Sequence, residues 1–526
     1  MAFPENLPDW PFANIPTSHW AGVAAATVIV YSLSRSIYNL YFHPISRYPG
    51  PKLAAISNVW YAYNWLTGRW PWKIEEVLRN YGDVVRIAPN ELVFLTPEAA
   101  RDIYLSHEKN LESFVKTDFE DLGEGDGGIS FEIDPIKHRE VARRLAPAFS
   151  IKNFKAKHAT LDGYIDLFVD KMREVGGGER GVEMRRWADW LSMDISADMT
   201  YNRQMGQMKE MKNSIFLDAA INVNLFGTIN QIMKKFPLLS PLMYLFIPPS
   251  VWLTMPRVMK INSQEVETRI QRRGRTEHLD YFEQIVPADQ PAPSPTDKKH
   301  ITHLEQIAGQ LLVAGWEPVS NQFYSSIFFL LKEPKVYATL VDEVICEISY
   351  FAAARSPRYF TEPLEFHPQR WLPPDHPQYD PRFKGDDLKA FMPFNQGPRA
   401  CPGSAIAWAE TRLYLAKVLW TFNLEAVRGQ KISFDKDFSF YSMWNKPQFW
   451  VRFLPNFQAL QNTFQAPCDD LNWKSLQFAL VQKSLEHLKT SSNSVMFLLA
   501  GWASILATKQ DFLSKSLQTH NKLSSN

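Results

Sequence analysis

The stretch Phe394-Asn395-Gln396-Gly397-Pro398-Arg399-Ala400-Cys401-Pro402-Gly403 gathers residues whose types and spacing suit a metal-bound thiolate. A thiolate on iron must sit on a tight loop with backbone N–H groups turned toward the sulfur. The N-terminus of a following helix adds to that stabilisation of negative charge. The helix-like run Ser404 to Phe422 follows directly. Gly397 and Gly403 permit the turn and let backbone approach a flat ligand closely. Arg399 can pair with a carboxylate, and Phe394 can shield the sulfur from water, which tunes a redox potential. The plainer alternative is a buried cysteine ahead of an amphipathic helix. Two other cysteines are present, Cys346 and Cys468. Three are too few for a disulfide framework, and no spacing resembles a zinc site, so a reducing compartment is expected.

The pattern F-x-x-G-x-R-x-C-x-G resembles the haem-binding signature of the cytochrome P450 family, with all five fixed positions matched. Other segments resemble the same family in the same order. Tyr48-Pro49-Gly50-Pro51-Lys52 resembles its proline-rich hinge, and Phe366-His367-Pro368-Gln369-Arg370-Trp371-Leu372 the segment before the haem loop. Trp444-Asn445-Lys446-Pro447 and Val451-Arg452-Phe453-Leu454 are similar to its last strands. The likeness is greatest to fungal microsomal members and covers roughly residues 40–458. It implies haem b, with Cys401 as the axial ligand to the haem iron and Arg399 at a propionate. It also implies an enzyme, a monooxygenase that inserts one oxygen atom of O2 into a small lipophilic substrate. Electrons would come from NADPH through NADPH–cytochrome P450 reductase, and fungal secondary metabolism would be the setting.

The same resemblance reads Ala314-Gly315-Trp316-Glu317-Pro318-Val319-Ser320, within the apolar segment Ile301 to Lys332, as the helix that crosses the haem face. There Gly315 would leave room for dioxygen and Glu317 would deliver protons. Pro318 stands where the family has a hydroxyl residue. It removes a backbone donor and is expected to distort the helix, opening a groove for water. Ser320 is the nearest hydroxyl that could substitute. A core helix with a proline kink is the alternative. In the segment Asp134 to Ser150, His138 matches a residue that holds haem propionates. Arg143 and Arg144 are substitutes by proximity for an arginine that is Ala142 here, and a solvated basic face is the competing reading.

These residues need elements to position them. A chain of 526 residues with 45% hydrophobic and 21% charged content can bury a large core. The 57 basic and 56 acidic residues nearly cancel, so nothing favours nucleic acid. The apolar run Trp20–Leu33, extended to Ile15–Ser34, is a short candidate span preceded by Glu5 and Asp9 and followed by Arg35, Arg47 and Lys52. That arrangement predicts a single-pass anchor in the endoplasmic reticulum membrane with the catalytic domain in the cytosol; a buried helix is the alternative. The residues Gly82–Phe94 predict two short strands around a Pro-Asn turn. Helical spacing dominates from Ile136 to Lys332, broken at Gly176–Gly178, Pro248–Pro249 and Pro287–Lys299. The fold class expected is mainly α with a minor β-sheet, α+β, as in the cytochrome P450 fold. Residues 1–43 form the anchor, 44–458 the haem domain, and 459–526 a tail whose apolar run Val495–Ala507 suits a packed or peripheral helix better than a span.

One family feature is missing. Its E-x-x-R pair, whose side chains support an arginine here matched by Arg370, has no counterpart between the oxygen helix and Phe366. Glu98–Arg101 and Glu140–Arg143 fit the letters but lie far upstream. Only 31 residues separate Pro334 from Phe366, too few for two or more helices of about 11–12 residues and several strands. Val341–Cys346 runs almost directly into Ser349–Arg355, which resembles the strand before Phe366. An internal block near 345–350 is therefore expected to be absent, which makes the fold incomplete. Either the coding sequence was mistranslated, for instance by a missed splice, or the chain is a degenerate, non-catalytic member. Arg370 is expected to be an unpaired buried charge, which is costly, and the chain to fold poorly or hold haem weakly. A reductase-independent isomerase or peroxygenase is a further alternative that Pro318 would tolerate.

Overall fold

A computed structural model describes residues 17–105, 115–117, 127–240, 245, 249–332, 350–376 and 378–456. The N-terminal apolar run forms α1 (Thr17–Ile37), continued by a π-helical turn at Tyr38–Phe42. Its 22 residues Ala21–Phe42 are long and apolar enough to cross a membrane. The proline-rich hinge leads into short helices α2 (Lys52–Ile56) and α3 (Val59–Leu66), then α4 (Trp70–Tyr81). As the alternation predicts, Val84–Ala88 (β1) and Glu91–Phe94 (β2) form an antiparallel pair around Pro89-Asn90. Next comes α5 (Pro97–Tyr104), capped by the Thr96 hydroxyl, which accepts from the Ala99 N–H at 3.2 Å.

Cap residues start the following helices. Asp134 accepts from the N–H groups of Ile136 and Lys137 at the head of α6 (Pro135–Leu145), and Ser150 caps α7 (Ile151–Val175). Helix α7 ends at the first of the three predicted glycines. After β3 (Val182–Glu183) runs α8 (Met184–Tyr201), buried over nearly its whole length. Then come α9 (Gln207–Glu210), α10 (Ile215–Met233), α11 (Pro249–Gln271) and α12 (Phe282–Ile285). The predicted oxygen helix is α13 (Lys298–Lys332), 35 residues with Pro318 inside it. Further on lie α14 (Tyr350–Ala354), α15 (Ser404–Thr421), β4 (Phe422–Ala426), α16 (Phe434–Asp437), β5 (Ser439–Phe440), β6 (Trp444–Asn445) and β7 (Trp450–Pro455). Strand β7 is the centre of an antiparallel sheet in the order β3-β7-β4, and β5 pairs with β6. The molecule is mainly helical with small sheets, as expected.

The main core lies where α8 crosses α13. Small residues bring the two backbones together: the Ser196 hydroxyl donates to the Leu312 carbonyl at 2.7 Å, and a Cβ on Gly315 would fall 2.4 Å from that hydroxyl. Apolar side chains of α7, α15 and the sheet complete the cluster, with Phe323 stacked on Tyr414 at 4.3 Å.

Two expectations are corrected. Tyr350–Ala354 is helical rather than a strand, because a run of three alanines favours helix and Tyr350 and Phe351 supply its buried contacts. Arg370 is not unpaired. Its guanidinium donates to Asp386 and to the carbonyls of Thr361 (2.8 Å) and His367 (3.2 Å), and stands 4.7 Å from the Phe383 ring centroid. The side chains of both Arg370 and Asp386 are buried, so a carboxylate 16 residues further along the chain neutralises the arginine. Val341–Cys346 and the tail 459–526 with Val495–Ala507 lie outside the described residues.

Candidate functional site

The Cys401 loop is shaped by backbone geometry. Gly397 adopts φ +70°, a left-handed conformation that favours glycine, and a Cβ there would sit 2.1 Å from the Tyr104 carbonyl oxygen at the end of α5. The chain then turns so that the Cys401 N–H donates to the Phe394 carbonyl at 2.8 Å. Helix α15 opens three residues later. The thiol is exposed along one side. Protein packed around the rest of it pushes its pKa up, opposed by hydrogen bonds from the N–H groups of Gly403 and Ser404. Those donors point at the sulfur, as a thiolate ligand requires. A Cβ on Gly403 would lie 3.9 Å from the sulfur and 3.8 Å from Phe149. Phe394 rests edge-on against Trp408 at 5.4 Å, fixing it at the base of the loop.

Beside the loop stand a neutral imidazole and a guanidinium. His138 is buried on α6, and its pKa is pushed down to about 4, first by burial and then by Arg399 and Lys116. Burial also lowers Arg399, against the pull of Glu132. Two segments far apart in sequence thus aim an imidazole and a guanidinium at one region. Such a pair suits a carboxylate-bearing ligand. Arg143 is not brought there. It is exposed and, five residues on from His138, faces the other side of α6. This is the solvated basic face foreseen as the alternative, and it covers Arg144 too.

Glu317 and Ser320 are brought together with groups that the sequence reading overlooked. A Glu317 carboxylate oxygen (Oε1) accepts from the Asn321 amide at 2.6 Å and the Trp444 N–H at 3.1 Å. Burial raises its pKa most; Asn321, Lys446 and Trp444 oppose that rise, while Asp189 adds to it. The Ser320 hydroxyl donates to Asp189, and Lys446 Nζ donates to Ser320 at 2.7 Å and lies 3.3 Å from Asp189. Trp316 Nε1 donates to the same Asp189 oxygen at 3.3 Å. These hydrogen bonds run to α8 and the β6 turn, and none among the described residues runs to the Cys401 loop. Gly315 likewise faces α8 rather than an open cavity. One turn before Ala314, Gln310 holds the 127–131 loop: its oxygen accepts from the N–H groups of Ile129 (2.8 Å) and Ser130 (2.7 Å), and its amide donates to Gly127 at 3.1 Å. No motif marks Asp189 or Gln310. Lys446 lay in view as a charge in a strand-like, apolar segment.

The donor set fits a haem: one thiolate-forming sulfur with aimed N–H groups, a glycine beside it, and a His–Arg pair for carboxylates. The family model described as Cytochrome P450 matches residues 49–346 and 344–451, two stretches that meet at the segment where a block was expected to be absent. The chain is 45% identical to cytochrome P450 monooxygenase TwmD of Talaromyces wortmannii, over 81% of this chain and 94% of that protein. It is 28% identical to cytochrome P450 monooxygenase BOA3 of Botryotinia fuckeliana, over 84% and 97%. Averantin hydroxylase of Dothistroma septosporum is 29% identical, over 83% and 91%. The alignment to TwmD has 485 positions but draws on 81% of 526 residues, about 426, so about 60 positions have no counterpart here.

Proposed function

The chain belongs to the cytochrome P450 family, and on that premise we propose a haem-dependent monooxygenase that inserts one oxygen atom of O2 into a small lipophilic substrate of fungal secondary metabolism. The observation that carries this is the Cys401 loop, with two backbone N–H groups aimed at one sulfur. When bound, haem would supply the dioxygen chemistry, with the cysteine thiolate as its electron-donating ligand. The residues of this chain do the rest. Cys401 would hold the haem iron, the charge of its thiolate stabilised by the N–H groups of Gly403 and Ser404 and the head of α15. Gly397 keeps the loop turned, Phe394 keeps water from it, and Arg399 with His138 holds the propionates. Glu317, in the middle of α13, is the acid placed to pass protons. Ser320 is engaged by Asp189 and Lys446, so it steadies that region rather than replacing the missing hydroxyl.

NADPH–cytochrome P450 reductase is the proposed electron source. The apolar α1, with Arg35 in its last turn and Arg47 and Lys52 after it, supports a single-pass anchor in the endoplasmic reticulum membrane with the rest of the chain cytosolic. The test is a carbon monoxide difference spectrum of the reduced, full-length protein, followed by NADPH- and reductase-dependent product formation on lipophilic candidates. A red-shifted thiolate band and reductase-dependent product are expected. Product formed with peroxide alone would select the reductase-independent reading.

A degenerate, non-catalytic chain is the second reading, favoured by the about 60 unmatched positions and the two-part family match. The Arg370–Asp386 pair weakens it by removing one reason for poor folding. Transcripts across Pro334–Phe366 discriminate: a longer message encoding an E-x-x-R helix would point to mistranslation, whereas a uniform message as translated here makes the shortened chain genuine.

A further inference from the structure

Beneath Glu317 lies a buried set of charges that the reaction as described leaves unexplained. Two carboxylates, Glu317 on α13 and Asp189 on α8, share the neighbourhood of one cation, Lys446, which follows β6. The described contacts divide them unequally. Lys446 makes its ion pair with Asp189 and donates to Ser320, and Asp189 also accepts from Ser320 and Trp316. Glu317 receives only neutral donors, the Asn321 amide and the Trp444 N–H. Among the described residues, Asp189 and Lys446 are the charged groups whose fields act on Glu317.

One cation cannot balance two carboxylates drawn out of water, Asp189 buried and Glu317 half-buried, and an uncompensated charge there is resolved by neutralisation. The carboxyl with neutral donors is the one that takes the proton. We propose that Asp189, by engaging Lys446, is a positioning residue that leaves Glu317 a neutral carboxylic acid, a proton held in reserve within α13. The direction of the Glu317 shift, upward by burial and by Asp189, agrees with this. The idea deepens the proposed role of Glu317 in proton delivery and rests on that reading for its use, though not for its chemistry. Giving up the proton leaves a carboxylate, which Lys446 can then approach; taking one back from water restores the resting state.

Infrared spectroscopy of the purified full-length protein reads the protonation directly. The wild type is expected to show a protonated-carboxyl band that Glu317→Gln removes. Asp189→Asn should remove the same band, because Lys446 then turns to Glu317 and holds it as a carboxylate. Lys446→Met should keep it. A band that survives Asp189→Asn, or a wild type with no Glu317-dependent band, overturns the proposal. Should Asp189→Asn fail to fold, titration of the wild-type band decides. Persistence well above the usual carboxyl range supports the proposal, and loss within that range overturns it. These outcomes stand apart from turnover: a preparation with the expected band but no reductase-dependent product refutes the functional reading and not this one.

Discussion

At the scale of single residues, the chemistry of Cys401 and His138 can be tested without substrate. Because packing raises the Cys401 thiol, the haem-free protein should react with iodoacetamide at Cys401 along a pH profile displaced above that of an ordinary thiol. Haem should protect it, since ligation takes the thiolate. Peptide mapping by mass spectrometry checks both; a midpoint below the usual thiol value would contradict the burial argument. His138 makes a second prediction. Its pKa is lowered from 6.5 to about 4, so between those values the unfolded chain binds the proton and the folded one does not. Stability of the haem-free protein should therefore fall as pH drops from about 6.5 to about 4. The full shift would be worth about 3 kcal/mol, and partial access of solvent to the ring reduces this to about 2. His138→Gln should flatten that part of the stability curve in urea titrations. At this scale the sequence was most readable where chemistry concentrates in one stretch, as in Phe394–Gly403. It was mute where a partner comes from elsewhere: Asp189 sits unmarked in a helix buried on all sides, where periodicity distinguishes no face.

Elements turn these residues into a site, and two contacts between elements carry measurable weight. Gly397 lets the Cys401 loop close against the end of α5. Gly397→Ala combines a left-handed φ with an overlap on the Tyr104 backbone, so it should cost about 1–3 kcal/mol and displace the loop. A lower melting temperature together with weakened haem retention is expected; retention equal to wild type would show that α5 yields instead. The Arg370–Asp386 pair holds the 361–386 region closed ahead of the haem loop. Asp386→Ala leaves a buried guanidinium without its counter-charge, at a cost of about 3–5 kcal/mol. The double variant Arg370→Ala/Asp386→Ala should be less destabilised than the sum of the two single changes, as urea unfolding of all three would reveal. The sequence located most elements well, because caps, glycine triplets and apolar periodicity act locally. It erred on Tyr350–Ala354, where likeness to a strand was outweighed by three alanines, and it missed Asp386, which reaches Arg370 through loops without periodicity.

For the molecule as a whole, the question is what a family member loses with about 60 positions absent. Strand β1 is buried from Val85 to Ala88, yet among the described strands it pairs with β2 alone. A two-stranded sheet is marginal unless something packs on it or extends it. Here the Pro49 carbonyl accepts the Arg86 N–H at 2.8 Å, and the Arg86 guanidinium reaches the Asn39 carbonyl at 2.7 Å. The hinge thus packs on the β1–β2 pair, which no other described strand extends. Stability near the hinge consequently depends on residues that also tether the domain to α1. Grafting the corresponding segment of TwmD between residues 345 and 350 should raise both haem content per chain and melting temperature. The Cys401 contacts should remain as they are, because the Phe394 carbonyl and the Gly403 and Ser404 N–H groups that make them lie outside the grafted segment. Haem stoichiometry and thermal unfolding, measured on the chain with and without the graft, check this. Equal haem content in the two would mean that the chain holds haem without the grafted segment.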